Sequence, residues 1–287
     1  MGKFSKALQK SSSTAGPKPA SVNPVSSRGG PPQEDKKTQQ AKQSPLLQPD
    51  GELSRERWDR RLQLSTAQNS LFFESFRRLR TAVFYPASGP RPKTLLVTST
   101  MAHEGKGFIC ANLGVALSRG MEHHAMLVDC DLRHPTLAGL FGLSADTGLV
   151  DYLQDQNVDL SMVLRKTGQP KLSLLPSGLP PKNPSELLES AKMIGLINEM
   201  AERYADRIIL FDSPPGIIAS ETATLAKHVD GVILVVRHGA SKKEDVKSFV
   251  DTVGREKILG VVFNAYPENS VETFLEKKMG YGYGYYQ

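Results

Sequence analysis

Leu95-Leu-Val-Thr-Ser-Thr-Met-Ala-His-Glu-Gly-Lys-Gly-Phe108, an apolar-periodic stretch, and then Ala125-Met-Leu-Val-Asp-Cys-Asp131 decide how this chain reads. An apolar run of strand type enters a loop ending in Gly105-Lys106, and a helix pattern starts at once. Backbone N–H groups at a helix N-terminus have no partner within the helix, and the helix dipole favours an anion there. Gly105 lets the backbone come close to phosphate oxygens, and Lys106 can reach them as a point charge. The second apolar run ends in two carboxylates, Asp129 and Asp131. Carboxylates beside a phosphate cradle commonly hold Mg²⁺. Two places depart from the usual loop. Gly107 stands where a Ser or Thr hydroxyl normally meets the metal, and His103 takes a position where glycine is common.

Working outward, strands alternate with helices. Strands are expected at 94–99, 125–129, 172–175, 207–212, 231–236 and 259–264. The helix after Lys106 should turn Ile109, Leu113, Ala116 and Leu117 inward. Pro135 opens a short helix toward Leu140 and Phe141. Short helices are expected over 148–153 and 160–166, and one long helix runs from Pro184 to about Tyr204, with Leu187, Leu188, Ile194, Ile197 and Met200 on its apolar side. Another helix ends at His228, and one spans Lys242 to about Val253. This order means an α/β fold: a doubly wound, mostly parallel sheet with helices on both faces and the site at the carboxyl ends of the strands. The run Arg207-Ile-Ile-Leu-Phe-Asp212 gives a third strand ending in a carboxylate. Lys106, Asp129, Asp131 and Asp212 all fall at such ends, a placement that structure alone does not require.

Of the 287 residues, Met1 to Arg61 hold 12 Lys/Arg and 6 Asp/Glu, so this stretch carries the whole net charge of +6. The remaining 24 basic and 24 acidic residues cancel. The globular part therefore has no broad basic surface, which argues against nucleic acid as a partner. Residues 1–64 read as a disordered Ser/Pro/Gln-rich basic arm and linker, in which Trp58 is a possible anchor. Cys110 and Cys130 read as small buried residues, and the histidines lack metal-ligand spacing. No apolar run is long enough to span a membrane. An amphipathic helix is expected from Ser65 to about Phe84, its apolar side built on Leu71, Phe72, Ser75, Leu79 and Val83. Glu74, Arg77 and Arg80 share one of its faces, which by composition alone is a solvated ion-pair surface. The chain closes with Tyr281, Tyr283, Tyr285 and Tyr286 spaced by glycines.

From about Phe72 onward the chain resembles the bacterial tyrosine autokinases, P-loop kinases tied to capsule and exopolysaccharide export. Glu74, Arg77 and Arg80 match the family's Glu-x-x-Arg-x-x-Arg helix. Thr98 to Gly107 match its P-loop, and Leu127 to Pro135, with Arg133, match its second acidic motif. Gly178 to Leu188 resemble its Pro-Pro-Asn-Pro-x-Glu-Leu-Leu segment, and Ile208 to Gly216 its third motif. The resemblance implies a kinase domain over 65–278 and a tyrosine tail over 279–287. It implies ATP and Mg²⁺, with nucleotide held by His103, Glu104, Gly105, Lys106, Gly107 and Phe108, and Asn264 at the adenine. Asp131 and Asp212 would hold Mg²⁺, and Asp129 would accept the tyrosine proton. Tyr281, Tyr283, Tyr285 and Tyr286 would be phosphorylated in a neighbouring subunit of a ring packed through Glu74, Arg77 and Arg80. A separate membrane-embedded chain-length regulator would activate the kinase, which would be cytoplasmic and peripheral to the inner membrane. Two other readings remain: a non-catalytic nucleotide-binding scaffold, favoured by Gly107, and a partition-type ATPase. The latter usually carries an early loop lysine, where this chain has Met101.

Overall fold

Five apolar runs along the chain become the parallel centre of one sheet. The computed structural model describes residues 54–67, 70–120, 123–204 and 206–265, all within a unit spanning residues 45–287. The arm up to residue 53 and the tyrosine tail lie outside the described residues. In chain order the helices and strands are α1 (Arg60–Ser65), α2 (Leu71–Phe84), β1 (Thr94–Ser99), α3 (Lys106–Ser118), β2 (His124–Asp129), α4 (Leu137–Leu140), α5 (Leu149–Gln154), α6 (Leu160–Val163), β3 (Arg165–Lys166), β4 (Leu172–Leu175), α7 (Pro184–Leu188), α8 (Ala191–Arg203), β5 (Arg207–Asp212), α9 (Ser220–His228), β6 (Gly231–Arg237), α10 (Lys243–Val253) and β7 (Ile258–Asn264).

The seven strands lie in the order β3-β4-β2-β5-β1-β6-β7. All neighbours are parallel except β3 and β4. The mostly parallel doubly wound sheet is as expected. Because strand side chains alternate between faces, each central strand feeds two cores. Leu95, Val97, Leu127, Leu210 and Ile233 pack on one face with α3 and its neighbours. Leu96, Met126, Val128, Phe211 and Leu234 pack on the other with α8, α9 and α10. The helix α3 is buried nearly all round, because the sheet covers one side and α1 and α2 cover the other. Ile109, Leu113, Ala116 and Leu117 are inward as expected.

Several local expectations change. The helix expected from Ser65 to Phe84 is two helices. Ser70 accepts a hydrogen bond from the Phe73 N–H and so starts α2 afresh. Phe72, expected inward, is 61% exposed, while Phe76 and Val83 are buried. The long helix expected after Pro184 breaks at Glu189–Ser190, where Ser190 caps α8 through the Met193 N–H. The restart rephases the helix, so Met193 and Leu196 are buried where Ile194 was expected. The helix expected over 160–166 stops at Val163, and Arg165–Lys166 pair with Ser173 and Leu174 as an antiparallel edge strand.

Packing also begins earlier than residue 65. Trp58 is buried within the stretch expected as linker. Its Nε1–H donates to the Thr167 carbonyl at 2.7 Å, and its ring meets Phe141 edge-on at 5.2 Å. Leu62 on α1 is fully buried in the same core. Trp58 thus anchors residues 54–65 to the α3 side of the sheet.

Candidate nucleotide site

The strand order itself assembles the site. The strand β5 inserts between β1 and β2, so Asp212 pairs in register with Val97 on one side and Asp129 on the other. Both acidic strand ends are thereby placed beside the loop that follows β1, at the carboxyl edge of the sheet where α/β folds bind ligands.

The loop is held from beneath by Glu104. Its side chain is fully buried, contrary to a nucleotide-facing role. It accepts hydrogen bonds from the Met101 N–H at 2.9 Å, Thr100 Oγ1 at 3.1 Å, the Arg237 N–H at 3.1 Å and the Ser241 hydroxyl. Burial alone would raise its pKa; the hydrogen bonds outweigh burial and hold it below the usual carboxylate value. His103 sits in the left-handed backbone region at φ 62°, sparsely used by non-glycine residues, and is exposed. Gly105 (φ 91°) is the N-cap of α3. A Cβ there would collide with Asn264 Nδ2, which donates to the Glu104 carbonyl at 2.7 Å. Asn264 therefore closes the loop from the end of β7.

Lys106 opens α3 and is buried, with Nζ 3.4 Å from Asp131 Oδ2. Asp131 Oδ1 accepts the His134 N–H at 3.2 Å. Asp212 is 1% exposed and its Oδ1 has no hydrogen-bond partner. Its pKa is driven well above the ordinary value by burial first and by the Asp129 charge next, against the pull of Lys106. Asp129 is fully buried. Its Oδ2 accepts the Thr136 and Leu137 N–H groups at 3.1 and 3.0 Å, and its Oδ1 the Asp131 N–H at 3.3 Å. Burial and the Asp131 charge push its pKa up to about 7, although the Leu137 and Thr136 N–H groups oppose the rise. Asp129 thus positions the loop after β2. A phenol can reach it, as the base role requires, only if that loop opens.

These groups suit a magnesium nucleotide. The orphaned buried oxygen of Asp212 marks a place where a cation would satisfy a costly group. Among the described residues, no three His, Cys, Asp or Glu side chains form a metal cluster. Mg²⁺ carried by a nucleotide needs only one or two carboxylates, the rest coming from phosphate and water.

Two features of the site escaped sequence reasoning. Glu221, in the first turn of α9, is 1% exposed and pairs with Arg133 at 3.3 Å; Arg133 also donates to Ser185 Oγ at 2.8 Å. That pairing ties the loop after β2 to α7 and α9, and no spacing signalled it. The other is Thr136, whose hydroxyl lies where a Cβ on Gly107 would fall. Elsewhere, Glu74 and Arg77 form an exposed pair at 2.8 Å, and Arg80 donates to the Ala116 carbonyl at 3.3 Å. With Arg55 and Arg119 they line an open cavity of about 770 Å³ on the α2 side. Cys110 and Cys130 are fully buried and free, their thiols pushed up by burial. Among the described residues no helix is long and apolar enough to cross a membrane.

Sheet order, loop and acidic strand ends together define a P-loop nucleoside-triphosphatase fold. No family model matches the chain. It is 32% identical over 204 residues to the tyrosine-protein kinase CpsD of Streptococcus agalactiae, covering 70% of this chain and 85% of that relative. The solved kinase domain of VpsO is 30% identical, with a TM-score of 0.59, and covers 69% of this chain and 100% of that domain. Against the tyrosine-protein kinase wzc of Salmonella typhi, 28% identical, the chain spans 29% of the relative's length. The chain belongs to the bacterial tyrosine-protein kinases.

Proposed function

We propose that this chain transfers the γ-phosphoryl group of ATP to tyrosine hydroxyls, its own Tyr281, Tyr283, Tyr285 and Tyr286 among them. The observation that carries this reading is the meeting of Lys106, at the start of α3, with Asp131 and Asp212, at the carboxyl edge of adjacent β2 and β5, with Lys106 held 3.4 Å from Asp131. Lys106 is poised to exchange that carboxylate for phosphate oxygens. The N–H groups of the first turn of α3 add a preorganised positive edge. Asp131 and Asp212 would hold Mg²⁺, which when bound supplies charge neutralisation for the transferring phosphoryl group. Glu104 and Asn264 keep the loop backbone in one shape, so that little reorganisation accompanies binding. Asp129 is tuned near neutrality and is the expected proton acceptor once its covering loop moves.

In this reading Glu74, Arg77 and Arg80 pack subunits into a ring, so that one subunit's tail reaches its neighbour's site. A separate membrane-embedded chain-length regulator switches the kinase on, at the cytoplasmic side of the inner membrane, in service of a surface polysaccharide. The scaffold alternative keeps one supporting observation, the missing hydroxyl at Gly107. The deciding experiment incubates the full chain with labelled ATP and Mg²⁺ and maps label by mass spectrometry. Label on the terminal tyrosines, lost in Lys106→Ala, is expected. Absence of label even with the regulator present would favour the scaffold.

A further inference from the structure

The loop lacks its hydroxyl, yet the room for one is taken. A Cβ built on Gly107 would fall on Thr136 Oγ1, with Thr136 Cβ at 3.3 Å and Asp212 Oδ2 at 3.0 Å. The side chain that fills the place of a loop Ser or Thr therefore comes from the segment after β2. Thr136 is exposed, and among the described residues no hydrogen bond engages its hydroxyl. Its backbone is fixed, because the Thr136 N–H donates to the buried Asp129 carboxylate at 3.1 Å. Across the same small space lies Asp212, with a buried, unpartnered Oδ1.

A threonine Oγ is the same ligand chemistry that a P-loop Ser or Thr provides: a neutral oxygen with two lone pairs. We propose that Thr136 supplies, from the opposite wall of the site, the hydroxyl ligand that Gly107 cannot, for the divalent cation that accompanies the nucleotide. This rests on the reading of the site as a magnesium-nucleotide site. It recasts Gly107 as one half of an exchange. With no side chain at 107, Thr136 can enter; with one, Thr136 has to turn away. It also gives Asp129 a task in nucleotide binding, while its covering loop is closed, because the carboxylate that anchors the Thr136 N–H sets where that hydroxyl points.

The test titrates Mg²⁺ into the full chain with a fluorescent ADP analogue and reads binding, independent of turnover. In Thr136→Val, which keeps the shape and removes the hydroxyl, the Mg²⁺ concentration for half-maximal binding should rise roughly tenfold, the scale on which metal sites respond to one lost partner. Thr136→Ala should behave alike, and melting without Mg²⁺ verifies that both are folded. Adding Gly107→Ser to Thr136→Ala, which clears the space that a Cβ at 107 needs, should restore the wild-type Mg²⁺ response, because the hydroxyl returns from the loop side. A wild-type response in Thr136→Val, or no gain from the added serine, overturns the proposal while the nucleotide site stands. If the wild type itself shows no Mg²⁺-dependent nucleotide binding, both readings fall.

Discussion

Replacing Asp212 with asparagine should make the nucleotide-free protein more stable at neutral pH while removing its response to Mg²⁺. Asp212 is 1% exposed, has one oxygen without a partner, and sits in register beside Asp129. A buried charged group left unsatisfied costs about 2 kcal/mol, and a neutral amide of nearly the same shape removes the charge. For a domain of this size that is roughly 4–8 °C in melting temperature. The pH dependence follows from the carboxyl cluster. Asp129 rises from 3.8 to about 7 on folding, and Asp212 also rises. The folded state therefore favours the protonated forms. Stability from this cluster is present below the unfolded value near 3.8 and is lost as pH climbs through about 7. Wild type and Asp212→Asn should melt together near pH 4 and separate progressively as the pH rises. Calorimetric melting across pH 4–8, with and without Mg²⁺ and ADP, reads both effects. A variant that melts lower than wild type at pH 8 without ligand would refute the argument, since it would mean that the charge is well satisfied by the protein alone.

Trp58→Ala should cost about 3–5 kcal/mol in urea unfolding, because it removes a buried ring together with its bond to the Thr167 carbonyl; a loss under 1 kcal/mol would deny the anchor. Glu104→Ala should weaken nucleotide binding at least tenfold with the circular dichroism spectrum intact, since four hydrogen-bond donors to the loop's support lose their acceptor. The double variant Arg77→Ala/Arg80→Ala should run as a monomer in light scattering at concentrations where the wild type assembles, with unchanged melting.

The central strands were legible because each is a short apolar run ending in a carboxylate or a turn, a pattern that a buried parallel strand imposes. The meeting of Lys106, Asp131 and Asp212 at one edge of the sheet was legible for the same reason: each follows the end of an apolar run. What stayed hidden depended on partners distant in sequence. Trp58 reads as an anchor, but what it meets, Phe141 and the Thr167 carbonyl, lies far along the chain. Glu104, expected at the nucleotide, turns its side chain inward because Arg237 and Ser241, far along the chain, close over it. The break at Ser190 lies between good helix formers, Glu186-Leu-Leu-Glu189 before it and Ala191-Lys-Met193 after it, and the serine's cap to Met193 marks it. Gly107 looked like a simple loss because the compensating atom belongs to a residue 29 positions later.

The insertion of β5 between β1 and β2 bears on the order in which this molecule matures. The phosphate loop and the first acidic strand end are synthesised long before Arg207–Asp212, yet neither β1 nor β2 has its central neighbour until that late segment threads between them. Such long-range pairing is slow compared with local helix formation. A nascent chain halted before Arg207 thus holds the loop but no pocket, and nucleotide capture reports on completion of the sheet.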